Sequence, residues 1–385
     1  MSKIPSIAVI PSGYKGGVSG VDGTVYSVLP TNGDADLDFT RNCVATRVNQ
    51  NGLIEEVGLN VPRLDYSDGG CPSLLLEPQI TNLLAFSEDF TQSDWAKTNC
   101  AVSSTTNIQP SGINGGYKLT YTSDTGDLFD FVSVSSGVVH TFSAWVKSSQ
   151  NGVINMSRAN QPADGSNINV TTDWQRFEVQ ITPTSSTDGV AFRRLSASDL
   201  DSIEVWGVQL EEGSYATSYI PTNGATATRF KDEASKDNLE SYINSSEGVL
   251  YAEINVGNIA DFSRYLSISD GGTSNRVILG VGGGATKIVS FVSGGGSSIN
   301  IISSTIDLTQ NQKIAVKWKQ NEFKLFVNGV LEDSNTTNFS LPTNMDSLNY
   351  SAGDSSSSPL YGKTKDLRVY NEALTDAELI ELTTI

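Results

Sequence analysis

Residues 313–333, KIAVKWKQNEFKLFVNGVLED, leave little choice of local structure. Ile314, Val316 and Trp318 alternate with Ala315, Lys317 and Lys319, the period-two pattern of a strand with one face on a core. A tight turn at Gln320–Asn321 leads to Phe323, Leu325 and Val327. A second turn at Asn328-Gly329 suits the positive φ angles of a two-residue hairpin loop. The stretch therefore reads as an antiparallel meander.

The same pattern recurs along most of the chain. GVLYAEINV (248–256) puts Leu250, Ala252, Ile254 and Val256 on one face, and RYLSISD, RVILGVG, KIVSFVS and INIISSTIDL follow at regular intervals. KTKDLRVYNEAL adds a late strand. Thr375 and Glu378 then form a capping box for a short helix, with Leu379, Ile380 and Leu382 packing back. An earlier series runs through GGYKLTYTSD, DLFDFVSV, VVHTFSAWVKSS, WQRFEVQITPT, VAFRRLSA and DSIEVWGVQLEEG. In HTFSAWVK, Phe142, Ala144 and Val146 claim the core face, and Trp145 falls on the other. Such spacing with no long amphipathic helix predicts an all-β chain of two antiparallel sandwiches.

The division expected is an N-terminal arm and adaptor over 1–80, a first sandwich over 81–222, a polar linker over 223–247 with one helical turn, and a second sandwich over 248–385. In the adaptor, Asn51-Gly52 predicts a hairpin and SLLLEP a short buried strand. In the arm, GTVYSVLP alternates weakly, as a strand does.

Charged residues make up 18% of the 385, below the usual quarter, whereas apolar residues at 38% are enough for packed cores. The net charge of −18 argues against nucleic acid and anionic membrane as partners. No apolar run reaches the ~20 residues that span a bilayer. Met1–Val9 lacks the apolar core and cleavage site of a signal peptide, and the odd count of Cys43, Cys71 and Cys100 leaves at least one thiol free. The expectation is folding in the cytoplasm, with release by lysis one way for such a protein to reach the outside.

Three stretches carry a resemblance. TNLLAFSEDFTQSDWAKTN (81–99) with VWGVQLEEGSYATSYIPTNGATATR (205–229) resembles the carbohydrate-binding-module-like jelly rolls of phage and prophage virion proteins. FTRNCVATRVNQNGLIEEVGLNVPRLDY (39–66) resembles the segment preceding that module in such proteins. KLFVNGVLED with KTKDLRVYNEALTDAEL resembles the concanavalin A-like, laminin-G-like sandwich. The resemblance implies a structural protein of a tailed-phage particle, in a tail fibre, head fibre or appendage. It would be non-enzymatic, a homo-oligomer such as a trimer, attached to other virion proteins through residues 1–80, and adhesive to cell-surface glycan. A decoration protein without ligand and a polysaccharide depolymerase are the other readings it leaves.

Glycans are held by aromatic faces and by amide or carboxylate hydrogen bonds. The residues expected to serve are Trp145 in the jelly roll, and Asp354 and Tyr361 in the second sandwich, where SDGGTSN (269–275) and AGDSSSSPLYG (352–362) form polar loops. Trp174 is expected at a core edge, and Trp206 in the core with Val208 and Leu210. Jelly rolls of this resemblance often carry a structural Ca²⁺ near the start of the module and its last strand. The hard oxygen ligands available are Glu88, Asp89, Glu211 and Glu212, with Asp270 and Asp354 in the second sandwich. The lone His140 lies on the Phe142 face as a core or edge residue. No nucleophile elbow, P-loop or metal-protease helix occurs, and Gly282–Gly284 and Gly294–Gly296 read as hairpin turns.

Overall fold

The computed structural model describes residues 3–11, 24–26, 37–257, 264–282, 286–354 and 357–385. The protein is nearly all β, in mainly antiparallel sheets, with one short helix, Asp376–Thr383. It divides into two compact units. The first comprises Met1–Asn42, Gly58–Pro78 and Lys231–Ile385, and the second Cys43–Val57 and Gln79–Phe230. The second unit is thus spliced into the first at two places.

In the first unit, strand Glu247–Asn255 lies between Gln312–Lys319 and Gly362–Tyr370. Its Leu250 and Ala252 stand opposite Val316 and Ile314, and the meander continues with Trp318 opposite Phe323. All are buried, as the alternation predicts. Gly248 is required there: a Cβ would stand 2.4 Å from the Trp318 indole. A second sheet contributes Leu266, Ile268, Val277 and Leu279, also buried.

The first sheet is covered on its other side too. Val249, Tyr251, Ala315, Phe326 and Tyr370 cluster with Leu374 and Leu379, and Leu382 packs against them. This apolar contact holds the helix, whose Thr375 capping box is present. Ile380 departs from expectation and stays exposed, because residues 379, 382 and 383 already form the inward line of so short a helix. At the strand edge Ser297–Ile302, the backbone N–H groups of Ile302 and of Ser304 just beyond it donate to Asp333 (3.0 Å) and Glu332 (2.7 Å), so carboxylates cap an edge that would otherwise invite pairing.

The expected arm, adaptor and linker are not separate pieces. Ile7–Val9 is antiparallel to Leu367–Val369, Asp38–Thr40 pairs with Glu233–Lys236, and Ser73–Leu76 pairs with both Arg63–Asp65 and Gly362–Thr364. Within the expected linker, Ala227–Arg229 joins Ile80–Asn82 and Glu233–Lys236 joins Ser347–Asn349. A short strand is not stable alone, so each joins a sheet with at least one strand distant in sequence. The helical turn occurs as a turn at Leu239–Ile243. Of the arm, Thr24–Tyr26 is a strand, and residues 12–23 and 27–36 lie outside the described residues.

The splice points share one buried ion cluster, entirely within the first unit. Asp232 accepts from Arg41 (3.1 Å) and from Arg63, and Arg63 also donates to Glu77 (2.6 Å). Arg41 donates to the carbonyl of Gly58 (2.6 Å) and pairs with Asn60 through its backbone (2.9 and 3.0 Å). The Asp232 N–H donates to the Glu77 carbonyl (3.0 Å), and the Glu77 N–H to the Asp232 carboxylate (2.8 Å). Each inserted stretch therefore leaves and returns at residues hydrogen-bonded to one another. Burial opposes the Arg63 charge, and the two carboxylates more than offset it, raising its pKa.

The second unit is a sandwich of two five-stranded sheets. One runs Cys100–Ser104, Tyr117–Tyr121, Ser202–Glu212, His140–Lys147, Gln175–Ile181. The other runs Gln161–Val170, Gly152–Arg158, Thr187–Arg194, Gly126–Ser133, Ala96–Thr98. Phe142, Ala144 and Val146 face a core shared with Leu128, Met156 and Phe192. The Asn49–Gly52 turn joins Ala45–Val48 to Ile54–Val57, as expected. His140 is buried, with Nδ1 2.9 Å from the Val138 carbonyl. One register shift matters. Ser143 faces Gln209 but Trp145 faces Trp206, and Gly207 at φ 63° absorbs the extra residue. Val205 and Val208 both reach the core, and Trp206 is buried away from it. The expected grouping of Trp206 with Val208 and Leu210 fails at this bulge.

Candidate functional site

In the first unit the two polar loops meet. Ser269 Oγ donates to the Gly353 carbonyl (3.0 Å), and the Arg276 guanidinium donates to the Ala352 carbonyl. Asp270 accepts from the Gly272 N–H (3.1 Å) and the Asn275 amide (2.8 Å). Asp354 accepts from the Ser357 N–H (2.8 Å) and hydroxyl (2.5 Å). Both carboxylates thus build turns. Burial lowers the Arg276 pKa, and the Asp354 charge acts against that. The rim offers hydroxyls, amides and a fixed carboxylate in one place.

Tyr361 is not part of that surface. It is 5% exposed, with the Arg264 guanidinium 5.1 Å from its ring centroid. The segment before it is pinned by Tyr265 N–H to the Ser358 carbonyl (2.9 Å) and Leu360 N–H to the Tyr350 carbonyl (3.0 Å), which turns the ring inward. The sequence showed a loop and no sign of this fastening.

Trp145 lies off the core face, as expected, but is no open platform. It is half-buried, edge-on to Trp206 (5.3 Å) and Tyr219 (5.8 Å), with the Arg176 guanidinium 4.6 Å from its centroid. The bulge at Gly207 brings Trp206 onto this face and fills it. Trp174 is half-buried, donating to the Ile108 carbonyl (2.8 Å) beneath Lys147.

The four acids expected around a cation separate. Glu211 is fully buried, and its carboxylate accepts from the Thr217 N–H (3.0 Å) and hydroxyl. Burial raises its pKa, against those donors and the charges of Arg176 and Arg229. Glu212 accepts from Ser135 (2.7 Å). Glu88 and Asp89 stay together. Among the described residues no three His, Cys, Asp or Glu side chains converge on one point.

Glu88 and Asp89 instead line a cleft of about 440 Å³ in the second unit, shared with Gln109, Tyr117, Thr222 and Asn223. The Tyr219 hydroxyl donates to Glu88 (2.7 Å) and accepts from Ser87 (2.7 Å). Asp89 accepts from the Thr91 N–H (3.0 Å), the Thr91 hydroxyl (2.6 Å) and the Gln92 amide (2.7 Å). Against the desolvation that would raise it, these donors hold the Asp89 carboxyl down at about 2. Burial and the adjoining Asp89 carboxylate push the Tyr117 hydroxyl up. Sequence reasoning singled out the two acids but missed Tyr117 and Thr222, which come from distant segments.

It also missed the outer face of the sheet containing Gly126–Ser133. Phe129 and Phe131 pack edge-on there at 5.4 Å, on the face opposite Leu128. Asn155 donates to Asn167 (3.0 Å), and the Asn155 Oδ1 has no partner among the described residues. The alternation of DLFDF held this signal.

No curated protein matches the chain. Among solved structures it is similar to the CBM40 of the Ruminococcus gnavus IT-sialidase bound to α2,3 sialyllactose, with 18% identity over 37% of this chain and 84% of that one and a TM-score of 0.33. It is similar to domain 4 of a GH43 extracellular arabinanase from Geobacillus stearothermophilus in complex with arabinotriose (14%, 45% and 84%, TM-score 0.32). It is also similar to domains LG4-5 of the mouse laminin α1 chain (10%, 65% and 88%, TM-score 0.28). Likeness at this level carries no functional inference. The stronger finding is in sequence: residues 242–380 match the family model described as the concanavalin A-like lectin/glucanases superfamily.

Proposed function

We propose that the protein binds glycans as a non-enzymatic adhesin on the surface of a phage particle. The observation that carries the glycan reading is the lectin/glucanase family match over residues 242–380, which falls wholly within the first unit. The joined loops at Ser269, Asn275 and Asp354 supply the hydroxyl, amide and carboxylate groups that sugars engage. The particle setting and attachment through the N-terminal 80 residues rest on the segment order seen in sequence, and the homo-oligomer on analogy with repeated virion components.

A printed glycan array probed with the whole chain tests the reading. Saturable binding to bacterial surface glycans is expected, weakened roughly tenfold by Asp354→Ala. Absence of binding to every glycan would remove the adhesin reading and leave decoration. Release of reducing sugar from those glycans would replace it with depolymerisation.

A further inference from the structure

We propose that a cleft beside the C-terminal helix of the first unit binds an alkylammonium group, the charged end of a small aliphatic amine or of a lysine side chain. The inference goes beyond the glycan reading and does not rest on it.

Strand alternation builds the cleft. Tyr251 and Glu253 lie two apart on strand Glu247–Asn255, and Arg368 and Tyr370 two apart on its neighbour Gly362–Tyr370. All four therefore project from the face opposite Leu250 and Ala252, which point into the core. The helix Asp376–Thr383 brings Glu381 and Leu382 to the same opening. Its volume of about 340 Å³ falls within the roughly 300–1,000 Å³ of small-molecule clefts.

Two independent observations point to a cationic ligand. The first is the Tyr251 hydroxyl. Tyr251 is only 2% exposed and lines the cleft, and its hydroxyl has no hydrogen-bond partner among the described residues. The Tyr121 hydroxyl, also without one, is sealed from solvent; that of Tyr251 is not, so the cleft is where it can meet a partner. Buried polar groups are normally paired, and a ligand N–H would pair this one. Burial, with Asp366 and Glu253 nearby, raises the pKa of the hydroxyl and keeps it neutral.

The second is the charge left over. Arg368 is matched to Asp366 by two bonds (3.0 and 2.6 Å), and Lys3 to Glu372 (2.6 Å). Glu253, Glu378 and Glu381 then face one remaining cation, Lys313, which donates to the Thr384 carbonyl (2.9 Å). Glu378 is committed to the Thr375 cap, whereas Glu253 and Glu381 have no hydrogen bond or ion pair among the described residues. An ammonium carries three donors and no acceptor, and Glu253, Glu381 and Tyr251 supply three acceptors. Leu374 and Leu382 give its aliphatic stem an apolar wall. A carboxylate or phosphate entering the same cleft would meet repulsion.

Calorimetric titration of the whole chain at physiological ionic strength, with cadaverine, Nα-acetyl-lysine amide and pentanoate, tests this. At least one of the two amines should bind saturably and pentanoate should not. Whichever amine binds tighter identifies the source, a free small amine or a protein side chain. Glu253→Gln and Glu381→Gln should each weaken binding roughly tenfold, and Tyr251→Phe roughly fivefold. Tyr251→Phe keeps the ring, and circular dichroism checks that the variants fold. Glu56→Gln, at an exposed position of the second unit, controls for general attraction to an acidic protein and should change nothing. Binding of neither amine, equal binding of pentanoate, indifference to all three cleft substitutions, or equal weakening by Glu56→Gln would each overturn the proposal.

Discussion

Two buried carboxylates, Asp232 in the first unit and Asp130 in the second, are held in opposite ways. In the first, Arg41, Arg63, Glu77 and Asp232 form a balanced cluster in which each cation meets a carboxylate. In the second, Asp130 is 3% exposed on the core side of its strand, its Oδ2 has no partner among the described residues, and the charge that acts on it is another carboxylate, Asp94. Burial, helped by Asp94, pushes the Asp130 pKa up to about 7. The same desolvation therefore yields a site sensitive to truncation in one case and a site sensitive to pH in the other.

Asp232→Ala should break the comparison most forcefully. It removes the carboxylate shared by two buried guanidinium groups, and loss of one partner in a buried pair costs about 3–5 kcal/mol. Denaturant unfolding followed by hydrogen exchange should show that loss in the first unit. An equal loss in the second would show that the two are not independent.

The pH response comes next. The folded Asp130 pKa of about 7 lies above the unfolded value near 3.8, so the folded state holds the proton more tightly. Its contribution to stability is complete below about pH 4, declines as pH rises, and is gone above pH 7. The second unit should be less stable at pH 8 than at pH 5 by on the order of 2–4 kcal/mol, and Asp130→Asn should flatten the profile. A flat wild-type profile would mean that Asp130 has a cationic partner after all.

The smallest effect is expected from Thr375→Ala. It removes the capping hydroxyl of the helix over Tyr251 and Phe326 and should cost about 1 kcal/mol, read by denaturant midpoint and confined to the first unit.

What the sequence revealed follows the range of the interaction. The meander at 313–333, the Asn51-Gly52 and Asn328-Gly329 turns and the Thr375 capping box depend on neighbours, and all are present. The pairing of Ile7 with Val369 spans nearly the whole chain, and no local pattern announces it. The Gly207 bulge lies between these extremes. One positive-φ glycine moved Trp206 to the opposite face, and strict alternation cannot foresee that. The Glu88 cleft shows the same limit. Glu88 was conspicuous as an acid, but the cleft it lines is built with Tyr117 and with Thr222, 134 positions further along.

The clamped splice points have a mechanical consequence. Ile7 stands opposite Val369 in an antiparallel pair, so a pull on the chain before Ile7 and after Val369 would enter at the same end of two neighbouring strands. Tension in that direction opens hydrogen bonds one at a time, as a zip does. Both inserted stretches begin and end at residues bonded to each other in the ion cluster, so force carried along the backbone can cross those bonds and bypass the insertions. The second unit would stay unloaded until the Arg41–Gly58 and Glu77–Asp232 bonds part.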